Sequence, residues 1–173
     1  MIRFVYTAIV VLFTMAATEA YLQADSRVRT SSPELVVLLR EGVEGSPTFQ
    51  RLIKSIDATD GLVYIEPGHC GVNGIHACLV HRVTVAGPSR ILRILVDVRR
   101  PDSNLTGAIA HELQHAVEVL GNPTITTDLA ITRFYFHRGV YVNGVYETHA
   151  AIDVGNAVQD EIVALRARSA AKN

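Results

Sequence analysis

The chain has 173 residues, 49% hydrophobic and 19% charged, with a formal net charge of −1. That is one domain's worth of sequence, long enough to bury a core. Near-neutral charge gives no electrostatic basis for binding nucleic acid, and the apolar content excludes a disordered chain.

Met1-Ile2-Arg3 is a short positive start, and Phe4 to Ala17 is almost wholly apolar. Thr18-Glu19-Ala20 then places small residues at the two positions a signal peptidase reads. Residues 1–20 therefore read as a cleaved signal peptide. The apolar run is short of the roughly 20 residues of a membrane helix, so no stable membrane insertion is expected after cleavage. Residues 21–173 are expected to form a single exported domain, periplasmic or secreted.

Tyr21 to Ser32 carries no clear period. Ser32-Pro33 and Ser46-Pro47 each combine an N-cap with proline at the first helical position. The first predicted helix carries Leu35, Val36, Leu38 and Leu39 and can end at Gly42. The second carries Phe49, Leu52, Ile53 and Ile56 and breaks at Asp60-Gly61. Leu62 to Ile65 reads as a short strand.

Cys70 and Cys78 flank a loop centred on Gly74, which would set them opposite each other, within disulfide reach. In an exported chain a disulfide is the expected outcome. The rival is a second metal site from His69, Cys70, His76 and Cys78. Segments 77–85 and 90–98 read as a hairpin around Ala86-Gly87-Pro88-Ser89. Pairing Val85 with Arg90 sets Val83 opposite Leu92, His81 opposite Ile94 and Leu79 opposite Val96. His81 then lies on the apolar face as a packing histidine, while Arg82 and Arg93 face solvent or substrate.

Leu105 to Leu120 is a helical pattern stopped by Gly121-Asn122-Pro123. Leu105, Ile109, Leu113, Ala116, Val117 and Leu120 form its expected buried side. Within it stands His111-Glu112-Leu113-Gln114-His115, an H-E-x-x-H motif. Two histidines four residues apart leave one face of a helix one turn apart, the spacing of two ligands to one tetrahedral Zn²⁺. Glu112 lies beside them, placed to take a proton from a water at the same ion. A largely apolar helix with these polar groups needs partners for them, and a metal supplies one. Glu118, seven residues after His111, reads as solvated rather than as orienting a ligand. A further helix is expected from Thr127-Asp128 to Phe136, with Phe134, Tyr135 and Phe136 in the core. The last helical pattern runs from Tyr146 to Arg168.

The zinc site needs a third ligand. Glu147, at the start of the last helical pattern, ranks first, ahead of His149, Asp153, Asp128 and His137. A donor must also stabilise the oxyanion of a hydrolytic reaction. Tyr141, Tyr146, His149 and His137 are candidates.

His111-Glu112-x-x-His115 followed by Glu147-Thr148-x-Ala150-Ala151 resembles the gluzincin class of zinc metallopeptidases, especially its small minimal-scaffold members and exported bacterial zincin-like proteins. The resemblance covers roughly residues 46–168. It implies an α+β, zincin-like fold: a small antiparallel or mixed sheet packed on the H-E-x-x-H helix and a C-terminal glutamate helix. It also implies Zn²⁺ held by His111, His115 and Glu147, Glu112 as general base, and a peptide or protein substrate. The strand Arg90–Val98 would bind that substrate as an added strand. The chain departs from the pattern at Ala151, where many gluzincins carry an Asp that orients a ligand histidine. The metzincin pattern is absent, since Glu118 and Gly121 occupy its decisive positions. Two rivals remain in view. One is a non-catalytic exported zinc-binding domain with a structural or partner-binding role. The other is a di-iron carboxylate protein, which would need a second Glu-x-x-His that Glu147-Thr148-His149 does not supply.

Overall fold

The structure, a computed structural model, describes residues 26–71, 74–99, 104–142 and 145–171. The expected signal peptide lies outside the described residues. The architecture is α+β, with a mixed sheet covered on one face by helices.

β1 (Val28–Arg29), β2 (Gly61–Pro67) and β5 (Ser89–Val96) run parallel, in the order β1-β2-β5. β3 (Ala77–Leu79) and β4 (Thr84–Ala86) both pair antiparallel with the far edge of β5. Alternation along β2 and β5 sends Val63, Ile65, Leu92, Ile94 and Val96 into the core. Tyr64 and Arg93 face the other way, where Arg93 pairs with Glu66.

α1 (Pro33–Gly45) and α2 (Pro47–Asp57) start where the Ser-Pro pairs place them. The hydroxyls of Ser32 and Ser46 accept the amides of Leu35 and Phe49. α1 runs past Gly42, because that glycine serves packing rather than termination. A Cβ there would meet the Phe49 ring at 2.7 Å. α3 (Leu105–Leu120) lies between the sheet and α5 (His149–Ala170). Ile109, Ala110, Leu113 and Ala116 of α3 are wholly buried. α4 (Asp128–Arg138) buries Tyr135 but leaves Phe136 61% exposed, since consecutive helical residues point about 100° apart and cannot share one face.

Several expectations are corrected. The hairpin register holds at Val85–Arg90, but Leu79 pairs with Ile94, not Val96. Val80 still donates to the Arg93 carbonyl at 2.8 Å, and residues 81–83 then bulge out of the ladder, with the Val83 amide donating to Asp128 Oδ1 at 3.0 Å. His81 therefore leaves the sheet face and stacks on Tyr135, ring centroids 5.1 Å apart. Strand β5 is paired along both edges, so it cannot receive an added strand; among the described residues the sheet's edges belong to β3 and β4 on one side and to β1 on the other. Cys70 and Cys78 are disulfide-bonded. Cys78 is paired in the sheet with Leu95 rather than across a hairpin from Cys70. The rival metal site is thereby consumed, and His69 instead sits 3.5 Å from Asp97.

The start of the last helix also differs. β6 (Val140–Val142) and β7 (Val145–Glu147) form an antiparallel ribbon, and the helix begins only at His149. Glu147 is the last strand residue and Thr148 is the N-cap, its hydroxyl accepting the Ala151 amide at 3.1 Å. No helix among the described residues is long and apolar enough to cross a membrane.

Candidate metal centre

α3 presents His111 and His115 side by side, their ring centroids 4.8 Å apart. The β7–α5 junction brings Glu147 against both. Glu147 Oε2 lies 2.7 Å from His111 Nε2 and 3.1 Å from His115 Nε2. This is the group of three among the described residues able to hold a metal ion, with donor atoms all within 4.8 Å of one another. Close helix packing makes the approach possible. A Cβ on Gly155 of α5 would stand 3.1 Å from His111 Cβ, so only a residue without a side chain lets the helices meet at that distance without a shift.

Glu112 is buried beside the cluster. Its Oε2 accepts the amide of Leu79 on the free edge of β3 at 2.6 Å. Its Oε1 lies 3.9 Å from His111 Nε2. The strand thus holds one carboxylate oxygen and leaves the other turned towards the histidines. Burial raises the Glu112 pKa, with the two histidines and the Leu79 amide pulling against it.

His115 is gripped on three sides. Its Nε2 faces Glu147, its Nδ1 lies 3.1 Å from Glu118 Oε2, and its backbone carbonyl accepts the Tyr135 hydroxyl at 3.0 Å. Burial alone would lower its pKa, but Glu118, Glu147 and Glu112 more than offset that and raise it to about 9. Without a metal the ring is an imidazolium donating to two carboxylates. Burial would raise Glu147, yet hydrogen bonds from both histidines hold it at about 2. Burial and the surrounding carboxylates raise the Tyr135 pKa, so its phenol stays neutral.

The donor set fits a divalent metal ion: two imidazole nitrogens and one carboxylate oxygen converge from two elements, and three protein ligands leave a fourth position open. Glu112, Glu118 and Glu147 put three carboxylates around two imidazoles, and a cation neutralises that excess.

The other expected residues lie elsewhere. Tyr141 and Tyr146 are cross-strand partners on the β6–β7 ribbon, and Tyr146 precedes Glu147, so the pleat turns both to the face opposite Glu147. There they pack on each other, and Tyr146 packs on Phe136. His149 and Asp153 are exposed on α5, His137 packs on Phe136, and Asp128 holds the 81–83 bulge. Three contributors were not read from sequence: Glu118, the Leu79 amide and Tyr135. Glu118 had a local signal, standing three residues after His115 and seven after His111, on their helix face. It is not solvated as expected, because Thr148 and His115 close over it. The other two had none, since both depend on which element crosses α3.

Comparison with family models, with curated proteins and with solved structures yields no match to this chain.

Proposed function

We propose that the chain is an exported zinc-dependent peptidase of the zincin type, with His111, His115 and Glu147 as metal ligands and Glu112 as general base. The observation that carries this reading is the convergence of a strand-end glutamate on both histidines of an H-E-x-x-H helix, with the intervening glutamate buried at their side. The disulfide and the signal-like N-terminus agree with an exported protein.

Zinc at this donor set supplies Lewis acidity towards a carbonyl oxygen and lowers the pKa of water at the open position. The chain's own part is proton handling and positioning. Glu112 Oε1 takes a proton from the attacking water and returns it to the leaving amine, while Leu79 N–H keeps Oε2 fixed. A carboxyl whose pKa burial has raised is a better base and releases its proton nearer neutral pH.

The test pairs metal content with hydrolysis of a peptide library. Wild type is expected to carry about one zinc per chain, and His115→Ala to lose it. Glu112→Gln is expected to keep the metal and lose at least about 100-fold in cleavage. Cleavage by Glu112→Gln at the wild-type rate refutes the mechanism. Zinc held by a wild type that cleaves nothing in the library replaces it with the non-catalytic reading.

A further inference from the structure

We infer that Glu118 is the positioning residue of this centre, holding two ligands from two different elements through one carboxylate. The inference rests on the metal reading above and goes beyond it in naming what sets the ligand geometry.

Glu118 Oε2 lies 3.1 Å from His115 Nδ1, and Glu118 Oε1 accepts the Thr148 hydroxyl at 2.7 Å. Both ring and carboxylate are largely buried, their side chains 7% and 14% exposed. An Nδ1–H donated to Glu118 fixes the tautomer in which Nε2 carries the lone pair, and Nε2 is the atom that faces Glu147. The second carboxylate oxygen reaches across to another element. Thr148 follows Glu147 directly and caps α5, its hydroxyl accepting the Ala151 amide while donating to Glu118. Glu118 therefore ties the strand end that carries Glu147 to the helix that carries His115. Ala151, the position where the resembled family places its orienting carboxylate, is wholly buried and brings no acceptor. The carboxylate that faces His115 stands on the histidine helix itself, about one turn beyond it.

The test measures zinc affinity by competition with a chromophoric chelator, and the d–d absorption of the cobalt-substituted protein, for wild type, Glu118→Gln, Thr148→Val and Thr148→Ser. A glutamine can accept from His115 or from Thr148 but not from both. Glu118→Gln is expected to lose roughly 10- to 100-fold in zinc affinity and to change the cobalt spectrum. Thr148→Val is expected to lose about 3- to 10-fold, and Thr148→Ser, which keeps the hydroxyl, to restore it. If Glu118→Gln does not fold, the two Thr148 variants carry the test, and equal affinity in both overturns the inference. A Glu118→Gln protein with wild-type affinity and spectrum overturns the inference and leaves the metal reading standing. A wild type that binds neither metal overturns both.

Discussion

Replacing Arg90 with methionine should unfasten the far end of the helix that carries His111 and His115. Arg90 opens β5, yet its guanidinium is only 4% exposed and spends its donors on the C-terminus of α3 and the turn beyond. Nη1 donates to the carbonyls of Val119, Asn122 and Ile125 at 3.2, 2.7 and 3.2 Å, and Nη2 to that of Leu120 at 2.6 Å. Val119 and Leu120 lie among the last residues of the helix, whose carbonyls have no partner within it, but Val119 also accepts the Asn122 amide at 3.2 Å and Asn122 the Ile125 amide at 3.1 Å. The bond to Asp60 adds less, because that carboxylate is 43% exposed and solvent screens it. The carbonyls decide the magnitude: each one left buried without a donor costs about 1–3 kcal/mol. The Val119 and Asn122 carbonyls keep those backbone donors, so the two buried carbonyls of Leu120 and Ile125 are the ones that lose theirs. Methionine keeps the aliphatic stem, so packing loss is small and the expected cost is about 2–4 kcal/mol. Urea unfolding at constant m value reads this directly. A folded Arg90→Met protein that loses less than about 1 kcal/mol would refute the claim that these carbonyls depend on Arg90.

Two other perturbations follow from the same structure. Zinc must displace a proton from His115, whose metal-free pKa is about 9, so apparent affinity should rise roughly tenfold per pH unit from pH 7 to 9 and then level off. Chelator competition across that range checks it, and affinity independent of pH would refute it. For the metal-free fold the sign reverses. The His115 imidazolium stabilises fully below its ordinary value of 6.5, and that contribution is lost as pH rises through about 9. The thermal midpoint of the metal-free protein should carry this loss, and the zinc-loaded protein should not. Removing the disulfide with Cys70→Ala and Cys78→Ala frees a short loop in the unfolded chain and should cost about 2–3 kcal/mol by denaturant titration. Cys78 adjoins Leu79, whose amide holds Glu112, so any hydrolysis of the proposed kind should fall further than the lost stability alone explains.

What could be read from the chain divides by how far apart the interacting residues lie. His111, Glu112 and His115 were legible because one helical turn fixes their relation, whatever packs on them. Glu147 stands out in the sequence at the start of the last helical pattern, but in the structure it ends a strand. Two three-residue strands have too little alternation to stand out beside a 22-residue helix, although Asn143-Gly144 between them is a hairpin dipeptide. The correction changes the chemistry. A glutamate in the first helical turn would lean on the helix dipole, whereas a strand-end glutamate is aimed by the pleat, which sends Tyr146 the opposite way. The register beyond Val83 failed for a similar reason. Counting back from the turn assumes an unbroken ladder, but Asp128, 45 residues along the chain, takes the Val83 amide out of it. The interior place of β5 was hidden by its parallel pairing with β2, a contact no local pattern encodes. Glu118 shows the limit most clearly. Its spacing set it on the histidine face, and that same spacing fits a solvated residue equally well. Only the arrival of Thr148 from the other side turns an ordinary surface carboxylate into a buried acceptor with both oxygens engaged. A helix can announce its own ligands, but what holds them is decided by the element that crosses it.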